Sequence, residues 1–184
     1  MLSGFRKPRQ VAVFISGGGS TLQALLEVQH DVNIVLIITN KKNALGNLKA
    51  KRFGKKIIFL DKQITYASLH EILLSHRIDS IILAGFMKLL PAEFVEKWQS
   101  RIINIHPSLL PLYPGLDSAE KSWSDNSDMG VTLHKVIAEM DAGEILLQLK
   151  SLVLPRQLSL DEANLFLRRT EQFLLRKMTA RYCP

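Results

Sequence analysis

The sequence predicts an α/β chain: a three-layer sandwich, mostly parallel, with antiparallel strands added towards the C-terminus. Three observations lead there. Short apolar runs rich in Val and Ile alternate with segments whose apolar residues recur at helical spacing. One run, VNIVLIIT at 32–39, is apolar almost throughout, as a parallel strand covered on both faces must be. The connections are short, and no repeat, linker or low-complexity segment interrupts them, so a single domain over 1–184 is expected. Such alternation is Rossmann-like.

The elements follow in order. Residues 10–15 form a β-rich run, and 21–28 place Leu22, Leu25 and Leu26 on one helical stripe. After the strand at 32–39, a helix at 44–53 closes at Gly54, and 56–60 is a third strand. Residues 66–76 carry Leu69, Ile72 and Leu73 on one face, and 79–83 is a fourth strand. Pro91 suits the first turn of a helix reaching Trp98. Residues 101–104 end a short buried strand. Residues 130–136 alternate like a strand, 140–144 read as a tight turn, and 145–153 return as another strand. A final helix at 158–178 offers Leu165, Leu167 and Phe173 as its covering face.

Composition sets limits. The chain has 184 residues, 47% of them hydrophobic, enough for one sizeable core. Its one cysteine, Cys183, excludes an intrachain disulfide and a cysteine-rich metal site. The apolar run at 11–15 is too short for a signal sequence, and no run approaches a membrane span, so a cytoplasmic location is expected. The net charge of +7 favours anionic partners. Much of it lies in 41–56, which holds Lys41, Lys42, Lys49, Lys51, Arg52, Lys55 and Lys56 with one aromatic, Phe53. A solvated helix face explains that run better than a nucleic-acid surface, which would interleave aromatics.

Three loops carry the chemistry, each following a predicted parallel strand. Ser16-Gly17-Gly18-Gly19-Ser20-Thr21 lies between strand and helix, the arrangement that cradles a phosphate with backbone N–H groups. It lacks the Gly-Lys-Ser/Thr of a nucleotide-binding loop, and Leu22 stands where a dinucleotide fingerprint has its third glycine. Gly85-Phe86-Met87 follows the fourth strand. The third loop begins at Asn104 and His106, two residues apart and therefore on one side of an extended segment. Pro107, Pro111 and Pro114 then stiffen it. In open α/β sheets ligands bind at this carboxyl edge. In isolation Asn104 and His106 read as a turn former and a core histidine, and Asp141 as a turn aspartate; the common rim of the three loops favours a site.

The stretches AGFMKLLP, NIHPSLLP with YPG, and GVTLH followed by MDAGEIL resemble the phosphoribosylglycinamide formyltransferases of purine synthesis. The resemblance spans nearly the whole chain. NIHPSLLP is shared with other 10-formyltetrahydrofolate-dependent formyltransferases, so it speaks for the chemistry more than for the acceptor. SGGGST, and no additional C-terminal domain, point to glycinamide ribonucleotide.

The resemblance implies catalytic roles for Asn104, His106 and Asp141, a phosphate held by Gly19, Ser20 and Thr21, and a substrate contact at Glu171, placed at the amine-bearing end. The folate would lie against Met87, Lys88, Leu89 and Leu90, the loop 137–141, Asn104 and Asp141. 10-Formyltetrahydrofolate is then a co-substrate, with no metal and no covalent intermediate, and the partners are small molecules, not nucleic acid or membrane. A monomer or homodimer is expected. His134 is assigned a structural role, as are His30, His70 and His76. The chain departs from the family pattern at Thr21, Gln63, Lys88, Asp117 and Gln172. Two alternatives stay open: another small amine such as an amino sugar nucleotide as acceptor, and a non-catalytic phosphate-binding module.

Overall fold

The computed structural model describes residues 8–27, 32–152 and 158–177, the side chains of 176 and 177 excepted. Among them run β1 (Arg9–Ile15), α1 (Ser20–Glu27), β2 (Val32–Thr39), α2 (Leu45–Arg52), β3 (Lys56–Phe59), α3 (Tyr66–Ser75) and β4 (Ser80–Leu83). There follow α4 (Ala92–Lys97), β5 (Ile102–His106), α5 (Ser118–Ser124), β6 (Gly130–Lys135), β7 (Ile145–Lys150) and α6 (Leu160–Lys177). His30, Cys183 and the expected ends of the strand at 153 and of the helices at 28 and 178 lie outside the described residues.

The strands form one sheet in the order β3-β2-β1-β4-β5-β6-β7. The first five pair in parallel. The last two join antiparallel, as the sequence predicts. From β1 the chain steps outward to β2 and β3, then returns to the other side of β1 as β4. This reversal opens a crevice at the carboxyl ends of the central strands.

Burial explains why β1 is apolar without interruption. Val11, Val13 and Ile15 enter one core with Leu22 and Leu25 of α1 and Leu167 and Leu174 of α6. Ala12 and Phe14 enter the other, with Leu69 and Leu73 of α3 and Phe94 and Trp98 around α4. A strand pleat sends successive side chains to opposite faces, so a central strand with helices on both faces has no solvent side. Helix starts are capped locally. Thr65 accepts the Ser68 N–H at 3.3 Å ahead of α3. Ser159 and Glu162 exchange bonds of 2.9 and 3.4 Å, a capping box, ahead of α6.

The structure corrects three expectations. Strand β5 continues past Asn104 to His106, so both polar side chains belong to the strand itself. Helix α5 was not foreseen, because its sequence SAEKSWS has no apolar stripe and its buried residues are Ser118 and Ser122. On α6 the buried positions are Ala163, Leu167, Leu174 and Leu175, whereas Leu165 and Phe173 are 48% and 53% exposed. At about 100° per residue, positions 165 and 167 point to nearly opposite sides of a helix.

Candidate active site

Asn104 and His106 project from the same side of β5, and His106 is only 5% exposed. The loop that follows is held by hydroxyls. Ser108 Oγ donates to the Leu112 carbonyl at 2.6 Å. Thr132 Oγ1, from the neighbouring β6, donates to the Ser108 carbonyl at 2.6 Å and accepts the Leu110 N–H at 3.1 Å. The chain then turns through positive φ at Tyr113 (54°) and Gly115 (81°). That turn brings the Tyr113 carbonyl to His106, whose Nε2–H donates to it at 3.0 Å.

Strand β6 supplies the opposite wall. The antiparallel register sets His134 directly across from Asn104. His134 Nδ1–H donates to the Lys135 carbonyl at 2.8 Å, which leaves Nε2 to accept from Asn104 Nδ2 at 3.1 Å. The following turn packs so tightly that a Cβ on Gly143 would overlap the Lys135 carbonyl. Asp141, at φ 52°, is thereby aimed back between the two strands.

Its carboxylate gathers the site. Oδ2 accepts the Gly115 N–H at 2.8 Å and lies 3.4 Å from His106 Nδ1. Oδ1 lies 3.4 Å from Asn104 Nδ2 and 3.5 Å from His134 Nε2. Burial pushes the Asp141 carboxyl up, but the neighbouring His134 imidazole, the Gly115 N–H bond and the nearby His106 outweigh it and hold the carboxyl below its usual range. Both nitrogens of His106 face acceptors, an arrangement that an imidazolium satisfies. The contacts to Asp141 from Asn104 and His106 are the long ones, so these donors can be redirected at small cost.

The group stands at the wall of a cavity of about 610 Å³. Met87, Lys88, Leu89 and Leu90 line it, as do Asn104, His106, His134 and Asp141. Met87 and Leu89 are 61% and 72% exposed, an apolar rim over a partly polar floor. Lys88 Nζ sits 5.6 Å over the Tyr66 ring, and burial pushes the Tyr66 hydroxyl up to about 12.

Gly19, Ser20 and Thr21 lie apart from that lining, at the start of α1. Gly19 has φ 67°, and a Cβ there would stand 2.6 Å from Gly46 Cα, so the glycine loop is pressed against the first turn of α2. Glu171 reaches the start of α1, where its carboxyl hydrogen-bonds Thr21. Burial raises its pKa, and the Thr21 bond and Arg168 offset that only in part. His134, read from sequence as structural, joins the group through its contacts with Asn104 and Asp141. Its signal was the strand pattern at 130–136, which pairs it with Asn104 once that strand is laid antiparallel on β5. His70 accepts from Trp98 Nε1 at 3.1 Å, and His76 Nδ1 lies 2.9 Å from the Ile72 carbonyl at the end of α3. Among the described residues no group of His, Cys, Asp and Glu is arranged to hold a metal ion. Nor is any helix there long and apolar enough to cross a membrane.

Comparison with known proteins gives this geometry relatives. A family described as formyl transferase matches residues 9–178. A phosphoribosylglycinamide formyltransferase of Haemophilus influenzae is 34% identical over 167 residues, covering 85% of this chain and 78% of that protein. The trifunctional purine biosynthetic protein adenosine-3 of Drosophila melanogaster is 40% identical over 168 residues and 84% of this chain. The chain spans only 12% of that protein's length. The crystal structure of phosphoribosylglycinamide formyltransferase from Anaplasma phagocytophilum superposes with a TM-score of 0.87 at 36% identity, covering 93% of this chain and 85% of the other.

Proposed function

Because the chain belongs to the formyl transferase family, we propose that it moves a formyl group from 10-formyltetrahydrofolate to the amine of glycinamide ribonucleotide, a step of purine synthesis. One observation carries this reading. A carboxamide, an imidazole and a carboxylate converge within 3.4 Å contacts at the wall of the cavity.

Formyl transfer needs such a set. The amine nitrogen attacks the formyl carbon, and negative charge develops on the formyl oxygen. Asn104 Nδ2–H and the His106 imidazolium donate to that oxygen, giving up their long contacts to Asp141, and stabilise the tetrahedral intermediate. Asp141 keeps the imidazolium form available and relays the amine's proton towards folate N10. The C–N10 bond then breaks, N10 takes the proton, and the formyl group stays on the acceptor nitrogen. His134 fixes the carboxamide by accepting one of its hydrogens.

The folate lies along Met87 to Leu90 and the 137–141 loop. The acceptor's phosphate sits on the N–H groups of Gly19, Ser20 and Thr21. Glu171, beside Thr21, accepts from the ribose hydroxyls, because a carboxylate accepts hydrogen bonds and repels a phosphate. One formyltransferase domain suffices for this reading, which asks for no nucleic acid or membrane; a monomer or a homodimer serves it equally. The test is to supply 10-formyltetrahydrofolate with glycinamide ribonucleotide and with other amines, amino sugar nucleotides included. Formylation of glycinamide ribonucleotide above the rest is the expected result.

A further inference from the structure

Ser16 directly follows β1 and leads into the glycine loop, and it is 1% exposed. Its N–H and its hydroxyl are both engaged. The N–H donates to the Gly85 carbonyl at 3.1 Å. Oγ accepts the Met87 N–H at 2.9 Å and donates its own hydrogen to Asn40 Oδ1 at 2.7 Å. One hydroxyl thus joins the carboxyl ends of β4, β1 and β2.

The loop so held is short of other anchors. Gly85 turns at φ 71°, and the Phe86 ring stands edge-on to Phe14 at 5.4 Å. Among the described residues, the bond from Met87 N–H to Ser16 is the one hydrogen bond made by residues 86–90. Those residues form a wall of the cavity. Without the hydroxyl, a backbone donor beside the cavity loses its partner and the wall is free to shift.

We propose that Ser16 is a positioning residue. Its hydroxyl sets the 86–90 wall against which the co-substrate binds and ties that wall to the residue that opens the glycine loop. Asn40 completes the device by orienting the hydroxyl, so that its lone pair faces Met87. This rests on the assignment of the 87–90 wall to the folate.

The experiment compares steady-state kinetics of wild type, Ser16→Ala and Ala138→Trp, the last placing bulk in the same cavity. Ser16→Ala is expected to raise the KM for 10-formyltetrahydrofolate roughly tenfold, with the KM for glycinamide ribonucleotide and kcat changed by less than about threefold. A purely structural serine would lower Tm and leave both KM values alone. An unchanged folate KM in Ser16→Ala, beside a raised one in Ala138→Trp, overturns the role of Ser16. An unchanged folate KM in both means that the cavity is not the folate site, and both readings fall. Should Ser16→Ala not fold, Asn40→Ala keeps the acceptor for Met87 but releases the hydroxyl. It is expected to raise the folate KM about two- to fivefold, and no change overturns the proposal.

Discussion

Asn104 and His134 face one another across the β5–β6 pair, carboxamide nitrogen to imidazole nitrogen, at 3.1 Å. The contact settles which way the carboxamide points. Because His134 Nδ1–H is spent on the Lys135 carbonyl, Nε2 is an acceptor, and it takes one hydrogen of Asn104 Nδ2. The other hydrogen is left to face Asp141 and the cavity. His134→Ala should therefore keep the fold but lower kcat roughly 10- to 100-fold, with little change in either KM. His134→Asn, if its amide reaches Asn104, should recover part of the loss. Measuring kcat and KM separately for the two variants checks this.

Asp141 ties pH to stability. Its folded carboxyl titrates below the unfolded value of about 3.9, so its contribution is fully present above that pH and is lost as pH falls through the lower folded value. Asp141→Asn should be less stable than wild type at neutral pH, and the gap should narrow below about pH 4. Turnover should fall roughly 100-fold or more, since the imidazolium loses its counter-charge and the proton its relay. Denaturant melts across pH read the first effect and an activity assay the second.

Glu171 behaves in the opposite sense. Its folded carboxyl titrates above the unfolded value of about 4.3, so stability falls as pH rises through the interval between the two values. Glu171→Gln should raise Tm at neutral pH by about 1–4 °C and give no gain below about pH 4. The same change should weaken glycinamide ribonucleotide roughly 10- to 150-fold and leave the folate KM nearly alone. Stability gained and acceptor affinity lost together distinguish a binding carboxylate from a solvated one.

The glycine loop tolerates no side chain at Gly19. Even Gly19→Ala places a Cβ 2.6 Å from the Gly46 backbone and at φ 67°. It should destabilise the protein by about 1–2 kcal/mol or more. It should also raise the KM for glycinamide ribonucleotide well above that for the folate, because the shifted N–H groups belong to the phosphate cradle. Thermal melts and KM values for both substrates report the two effects.

The strands and their mostly parallel pairing were legible because the central strands are buried on both faces, and an apolar run such as VNIVLIIT has few other solutions. The rim position of the three loops followed from it. What escaped the sequence was register and backbone. His134 joins Asn104 only through an antiparallel pairing that strand patterns do not specify. The Tyr113 carbonyl and the Gly115 N–H that hold His106 and Asp141 belong to no side chain. Helix α5 hides because its buried positions are serines. The place of Glu171 beside Thr21 depends on how α6 crosses α1, which helix patterns do not specify.

The central claim is that the group around His106 performs formyl transfer, and one comparison tests it most directly. Turnover of glycinamide ribonucleotide with 10-formyltetrahydrofolate is measured for wild type and His106→Ala, with folding checked by circular dichroism. The account predicts that wild type turns over and that folded His106→Ala is slower by roughly 10²–10⁴-fold. A folded His106→Ala with near-wild-type turnover, or a wild type that leaves glycinamide ribonucleotide unformylated, would contradict it.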